Sequence, residues 1–155
     1  RIISGLDRPL SLIAQAFLGD PKVVFMDEPT AGLDPKERIR IRNLISEMAL
    51  GKIVLIATHI VSDVEYISKE ILLLKHGEII GSGNPESLEK ELYGIVYEKK
   101  VTVEQLKEIQ DKYLVAGIRE EGNQVVVRYL DSKSDEETTV WPTLDDVYLY
   151  HFYKE

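Results

Sequence analysis

Two short apolar runs stand out in the first half of the chain. The first extends from Val23 to Met26 and the second from Ile53 to Ala57. Uninterrupted runs of this length are typical of strands that are covered on both faces, as in parallel sheets. Residues 35–48 lie between them and carry apolar side chains at helical spacing. The order strand, helix, strand therefore predicts a parallel βαβ unit.

The helix predicted over residues 35–48 has an apolar face and a charged face. Its apolar positions are Ile39, Ile41, Leu44, Ile45 and Met48, and its basic positions are Arg38, Arg40 and Arg42. A basic stripe on an amphipathic helix is usually solvated. We therefore assign these arginines no role in a site.

The rest of the chain divides at about residue 93, where the elements become shorter and half-exposed in pattern. Before this point we predict a helix over 9–18, a hairpin within 71–85 and a helix over 86–93. After it we predict strands over 95–101, 114–119 and 124–130, a helix from a capping box at Thr102 to about Tyr113, and a final helix capped near Thr143. The predicted domains are an α/β core at 1–93 and a small α+β appendage at 94–155.

Composition excludes several classes of protein and site. The 155 residues include 44% hydrophobic residues, which suffices for a packed core, and carry a formal net charge of -8. An acidic chain is a poor partner for nucleic acid, so none is expected. The sequence has no Cys, which excludes disulfides and thiolate metal sites. No apolar run reaches the ~20 residues needed to span a bilayer.

Two adjacent carboxylates, Asp27 and Glu28, directly follow the first apolar run. Acidic pairs are also common at exposed turns, but this pair follows a core strand and precedes Pro29, which ends the strand. In open α/β sheets, ligands bind beyond the carboxyl ends of the strands. One carboxylate at such an edge can hold a hydrated Mg²⁺ while its neighbour faces a water beside a terminal phosphate. The sequence therefore predicts a nucleotide-hydrolysing site.

The second apolar run ends in Thr58 and His59. A lone histidine is more often structural than catalytic. This one ends a predicted strand at the edge that carries the carboxylates, so we interpret His59 as a hydrogen-bonding partner of the terminal phosphate and the attacking water. His76 and His151 are interpreted as structural.

Residues 27–35, with the sequence DEPTAGLDP, resemble the Walker B and D-loop segment of ATP-binding cassette (ABC) ATPases. Residues 14–21 are similar to the helix and turn that precede Walker B in that family. Residues 53–59 resemble its next strand with the switch histidine, and residues 71–85 resemble its closing hairpin. The resemblance covers Ser4 to about Pro85.

The resemblance implies a partial P-loop NTPase core that uses ATP and Mg²⁺. It implies that Glu28 orients or deprotonates the lytic water, that His59 completes the catalytic pair, and that Asp27 holds Mg²⁺ through water. By the same resemblance Asp34 belongs to a D-loop that touches a partner subunit. From the residues alone, Asp34 before Pro35 also suits an N-cap, and the two roles are compatible.

Ser4 and Gly5 fall in register with the family's signature segment, whose serine and glycine amides bind the γ-phosphate held by the opposite subunit. Leu6 stands where the family usually has a second glycine. The structural alternative is a capping serine and a turn glycine without a ligand.

No segment matches GxxxxGK[ST], the loop whose amides and lysine cradle phosphates. The resemblance implies that this loop would precede Arg1, so we interpret the chain as the carboxyl-terminal half of a nucleotide-binding domain. We expect the 155 residues alone to be inactive as an ATPase.

The resemblance implies an ATP-hydrolysing, energy-coupling subunit of an ABC transporter. Implied partners are membrane permease subunits and a second ATPase subunit, in a homodimer or heterodimer. The implied location is cytoplasmic, on the inner face of the cell membrane through the permease. Residues 142–150 resemble the tail of export-type subunits. Two alternatives stay open: a non-catalytic regulatory or interaction module, and a soluble ABC ATPase outside transport.

Overall fold

The computed structural model describes residues 7–131 and 139–153, and the chain divides into two compact units. The first unit ends at Ser68 and the second begins at Lys69. The first contains α1 (Asp7–Ala16), β1 (Val23–Asp27), α2 (Pro35–Met48), β2 (Ile53–Ala57) and α3 (Val61–Ile67). The second contains β3 (Ile71–Lys75), β4 (Glu78–Gly83), α4 (Pro85–Glu91), β5 (Val96–Val101), α5 (Val103–Lys112), β6 (Leu114–Glu121), β7 (Gln124–Leu130) and α6 (Leu144–Tyr153).

The first unit is built on the parallel pair β1 and β2. Their register aligns Val23 with Ile53 and Asp27 with Ala57, so both strands end at the same edge. The helix α2 connects them and has the bounds predicted from its periodicity. The predicted βαβ unit and the α/β fold class are confirmed.

One face of this two-stranded sheet is packed against helices. Val24 and Met26 of β1 point into a core that also takes residues from α1 and α2. The buried members of this core are Ile13, Phe17, Val24, Met26, Ile41 and Ile45. Side chains alternate across a strand, so the even-numbered positions of β1 form this buried face.

The other face of the sheet is exposed, which corrects the prediction that both faces are covered. Phe25 is 75% exposed and Ile53 is 62% exposed. Among the described residues, only one side of the pair has helices packed against it. An apolar run cannot reveal this difference, because apolar side chains occupy both faces whether or not each is covered.

The predicted division of α2 into an apolar and a charged face is partly wrong. Ile39, which we placed on the apolar face, is 50% exposed. The side chain of Arg42, which we interpreted as solvated, is only 14% exposed. Arg42 precedes the fully buried Ile45 by three residues, so it shares that stripe of the helix.

The second unit contains a hairpin and a three-stranded antiparallel sheet. Strands β3 and β4 form the predicted hairpin, turned at His76 and Gly77, both of which have positive φ. The sheet has the order β5-β7-β6, with β6 and β7 joined by the predicted turn around Gly122. The capping box of Thr102 and Gln105 at the start of α5 is present as predicted. The α+β description of the appendage is therefore confirmed for the described residues.

The helix α4 packs against α6, so residues 69–93 group with the carboxyl-terminal elements in the second unit. This division differs from the predicted boundary between residues 93 and 94, which stays a prediction about domains. Within residues 7–131 and 139–153, no helix is both long and apolar enough to cross a bilayer.

Candidate functional site

The candidate site lies where β1 and β2 end side by side. The backbone N–H of Glu28, one residue beyond β1, still donates to the carbonyl of Ala57 at 2.8 Å. The residues that follow the two strands, Glu28 on one and Thr58 and His59 on the other, are therefore held at one edge. The parallel register is the cause, because it makes the two strands finish together.

The carboxylate of Glu28 has three close partners at this edge. Its Oε2 accepts a hydrogen bond from the Thr58 hydroxyl at 2.8 Å, and its Oε1 accepts from the His59 backbone N–H at 2.9 Å. The Nδ1 of His59 lies 2.6 Å from the same Oε1. A carboxylate can only accept, so the imidazole donates when Nδ1 carries a proton. The sequence-predicted pair Glu28 and His59 is thus in direct contact.

These contacts keep the Glu28 carboxylate ionised. Partial burial raises the pKa of Glu28, but hydrogen bonds from Thr58 and His59 outweigh this effect, so the pKa lies below its ordinary value. The Glu28 side chain is 30% exposed and the His59 side chain is 74% exposed. The pair is accessible to water and to a ligand, as a hydrolytic base must be.

The backbone of Glu28 adopts an unusual conformation, with φ of 46°. Non-glycine residues rarely occupy this left-handed region, because Cβ then crowds the backbone. Such residues persist where the surrounding structure over-determines them, and they cluster at functional sites. The conformation turns the chain away from β1 and aims the carboxylate at the end of β2.

Asp27 is the last residue of β1, and it is exposed on the same face of the sheet as Phe25. Among residues 7–131 and 139–153, no group of three or more His, Cys, Asp or Glu side chains could hold a metal ion. Mg²⁺ does not need such a group, since it keeps several waters and is commonly held by one or two carboxylates together with substrate phosphates. A single exposed carboxylate at the end of β1, next to Glu28 in the chain, fits that mode of binding.

Asp34, another predicted site residue, has a structural role at the start of α2. The Asp34 Oδ1 accepts from the backbone N–H groups of Lys36 and Glu37, each at 3.0 Å, so Asp34 is the N-cap of α2. The N-cap alternative is therefore confirmed. Ser4 and Gly5 lie outside the described residues.

Two features of the edge were not predicted from sequence: the hydrogen bonds of the Thr58 hydroxyl and the helix α3. Thr58, besides donating to Glu28, accepts from the backbone N–H of Ile60 at 3.1 Å, which fixes the direction of its hydroxyl. The short helix α3 follows directly after Ile60. The position of Thr58, a hydroxyl residue next to His59 at the end of a predicted strand, was the sequence signal that could have predicted its hydrogen bond to Glu28. The seven residues of α3 are too few for apolar periodicity to predict a helix.

No protein-family model matches the chain. The chain is 36% identical over 107 residues to ABC transporter A family member 8 of Dictyostelium discoideum. It is 43% identical over 77 residues to an uncharacterized ABC transporter ATP-binding protein of Nostoc sp., and 40% identical over 91 residues to Nod factor export ATP-binding protein I of Rhizobium johnstonii. The chain is homologous to ABC transporter ATP-binding proteins.

These alignments include 69%, 49% and 58% of the chain, but only 12%, 23% and 29% of the respective relatives. The chain thus spans less than a third of the length of each of these relatives. It also resembles a solved ATP-binding cassette of an ABC transporter in its ADP conformation, with 31% identity, a TM-score of 0.49, and coverage of 56% of this chain and 34% of that one.

Proposed function

We propose that this chain supplies the water-activating edge of the ATP-hydrolysing subunit of an ABC transporter. The observation that carries the proposal is the contact between Glu28 and His59, at 2.6 Å, at the shared end of two parallel strands. Homology to ABC transporter ATP-binding proteins supports ATP as the nucleotide.

In this proposal Glu28 is the base that orients and deprotonates the attacking water. Its carboxylate is accessible, and its lowered pKa leaves it ionised at neutral pH, so it can accept a hydrogen bond from the attacking water. His59 holds Glu28 in place and, with its exposed ring, reaches the terminal phosphate. Positioning of this kind supplies most of the catalysis in phosphoryl transfer.

Asp27 would hold the Mg²⁺ ion through water. When bound, Mg²⁺ compensates the charge of the phosphate oxygens. The exposed position of Asp27 at the end of β1 supports this assignment, because phosphate oxygens and waters can complete the coordination there.

The remaining assignments extend to partners. Ser4 and Gly5 would bind the γ-phosphate held by an opposite subunit, and Asp34 would support the D-loop contact with that subunit while capping α2. The subunits would dimerise, lie on the cytoplasmic face of the membrane and drive a permease. An export direction is supported by the resemblance of the tail and by similarity to a protein named for Nod factor export.

A second candidate function is a non-catalytic binding module. The observation that favours it is that no GxxxxGK[ST] segment occurs in the 155 residues. Since that loop provides the main phosphate contacts, we propose that these residues alone do not hydrolyse ATP.

The test of the proposal is Glu28→Gln in a longer protein that joins this segment to a phosphate loop. We expect ATP turnover to fall by about 10²–10⁴-fold, the usual contribution of a positioned base. ATP-dependent dimers should persist, since the amide keeps the shape of the side chain. The matched control is Glu47→Gln on the exposed side of α2, which should leave turnover unchanged. Unchanged hydrolysis in Glu28→Gln would refute the role of Glu28.

A further inference from the structure

A buried polar cluster includes residues that closely follow Glu28 and His59 in the chain. It consists of Thr30, which is fully buried, Asp63, which is 2% exposed, and Arg42. The three come from different segments: the turn after β1, the helix α3 and the helix α2. We call this group the Asp63 cluster.

Asp63 connects the other two members. The Thr30 hydroxyl donates to Asp63 Oδ2, and a terminal nitrogen of Arg42 lies 3.5 Å from Asp63 Oδ1. The same guanidinium donates to the Ser62 carbonyl at 3.0 Å and lies over the Tyr66 ring, 4.7 Å from its centroid. Arg42 therefore holds α3 at three points.

The cluster is an inefficient way to stabilise a fold. Among the described residues, Asp63 Oδ1 accepts no hydrogen bond and has only the ion pair with Arg42. A buried charge whose hydrogen bonds are incomplete often contributes less stability than an apolar residue of the same volume. Its value is instead geometric, because a hydrogen bond to a charged group fixes direction as well as distance.

The cluster is attached to both residues of the site. Thr30 lies two residues after Glu28, in a turn closed by a hydrogen bond from the Ala31 N–H to the Glu28 carbonyl at 3.2 Å. Asp63 lies four residues after His59, and its N–H donates to the Ile60 carbonyl at 3.0 Å. A bond between Thr30 and Asp63 therefore ties the turn that carries Glu28 to the helix that follows His59.

The backbone of Glu28 requires such an anchor. Its left-handed conformation is maintained only where neighbouring contacts restrain it. The buried Thr30 side chain, held by Asp63, restrains this turn from the interior. The hydrogen bond from the Glu28 N–H to Ala57 restrains it from the sheet.

We propose that Thr30 and Asp63 are positioning residues that set the contact between Glu28 and His59. The proposal rests on the proposed function for its consequence in catalysis, but not for the geometric coupling itself. Thr30 and Asp63 are buried, so they act through the Glu28 turn and α3.

The first test measures amide hydrogen exchange in the 155-residue chain. The His59 N–H donates to Glu28 Oε1, so its protection reports the contact directly. Thr30→Val removes the hydroxyl at nearly constant volume, and Thr30→Ser keeps it. We expect Thr30→Val to lower the protection of the His59 amide about tenfold, the effect of losing a typical hydrogen bond, and Thr30→Ser to restore it. The amides of β1 and β2 serve as internal references and should be unchanged.

Two further variants separate positioning from plain stability. Ile45→Val weakens the core of the same unit without touching the cluster, so it should lower protection evenly. Asp63→Asn keeps an oxygen for Thr30 but removes the charge, and we expect an effect between those of Thr30→Val and the unchanged chain. An even loss of protection in Thr30→Val, or no loss at His59 in either cluster variant, would overturn the proposal.

The second test measures ATP turnover in the longer protein. Thr30→Val should lower kcat about tenfold with little change in KM, and Thr30→Ser should restore kcat, because the hydroxyl positions the base and not the nucleotide. If the exchange result holds but no variant affects turnover, the coupling stands and the assigned catalytic role fails. If turnover depends on Glu28 but His59 protection is insensitive to Thr30, the positioning proposal fails alone.

Discussion

Removal of Asp146 from its ion pair with Arg128 is expected to destabilise the second unit strongly. Asp146 is 1% exposed, and its carboxylate lies 2.5 Å from a terminal nitrogen of Arg128. It also accepts from the N–H and hydroxyl of Thr143, at 2.8 and 2.9 Å. Asp146→Ala removes all of these bonds and leaves Arg128, whose side chain is 19% exposed, without its main partner.

The magnitude follows from what Arg128 retains. Removing one partner of a buried ion pair costs about 3–5 kcal/mol. Arg128 keeps Glu98 at 3.2 Å and the Trp141 carbonyl at 2.8 Å, so we expect the lower end, about 3 kcal/mol of unfolding free energy. With a urea m-value of about 2 kcal/mol/M, the midpoint of unfolding should fall by about 1.5 M.

The assay and its control are both provided by the chain. Trp141 is the single tryptophan and lies beside this pair, so its fluorescence during urea unfolding reports the second unit. Asp145→Ala is the matched control, since Asp145 is the exposed neighbour in the first turn of α6. Both variants lose an acid near a helix amino end, worth about 0.3–1 kcal/mol. Equal midpoint shifts in the two variants would refute the expected cost of leaving Arg128 without its buried partner.

Three further outcomes are expected. Asp34→Ala should cost about 1 kcal/mol in unfolding free energy of the first unit through loss of the α2 N-cap, and an unchanged denaturation midpoint would contradict this. Phe25→Ser should change the unfolding free energy of the first unit by less than about 0.5 kcal/mol, because Phe25 is 75% exposed. Met26→Ser, at a buried position, should cost about 2–5 kcal/mol. Similar costs for the two variants would contradict the described faces of the sheet. The pKa of Glu98 is lowered chiefly by its hydrogen bonds with Arg119. The ionised Glu98 therefore contributes its full stabilisation at pH values above the ordinary pKa of 4.5, and this stabilisation is lost as the pH falls through the lower pKa of the folded state. Glu98→Gln should therefore flatten the acid side of the stability profile in the fluorescence assay, and an unaltered profile would argue against this pair.

Much of the local structure followed from the sequence. The bounds of β2 and α2 were predictable because apolar periodicity, Asp34 with Pro35 at the helix start, and the apolar run of β2 agree. The edge that carries Glu28 and His59 was predictable for a related reason. Parallel strands connected by a helix finish at the same edge, so residues that follow each strand are brought together.

The tertiary structure decided which apolar and charged side chains are buried. Phe25 and Met26 are adjacent apolar residues that the sequence does not distinguish, yet Phe25 is exposed and Met26 packs against helices. Arg42 and Asp63 look like solvated charges, and only the packing of α2 against α3 makes them buried partners. Burial depends on which elements meet, and that is a property of the whole unit.

The sequence by itself determined the chemistry available at the edge: two acids after one strand, and a hydroxyl and an imidazole after the next. Only the folded chain determined how those groups are joined, with Glu28 in a left-handed turn, held by Thr58 and His59 and anchored from behind by Thr30 and Asp63. The physical reason is that the residue at which each strand ends is set by local pattern, whereas side-chain contacts between segments 30 or more residues apart are set by packing.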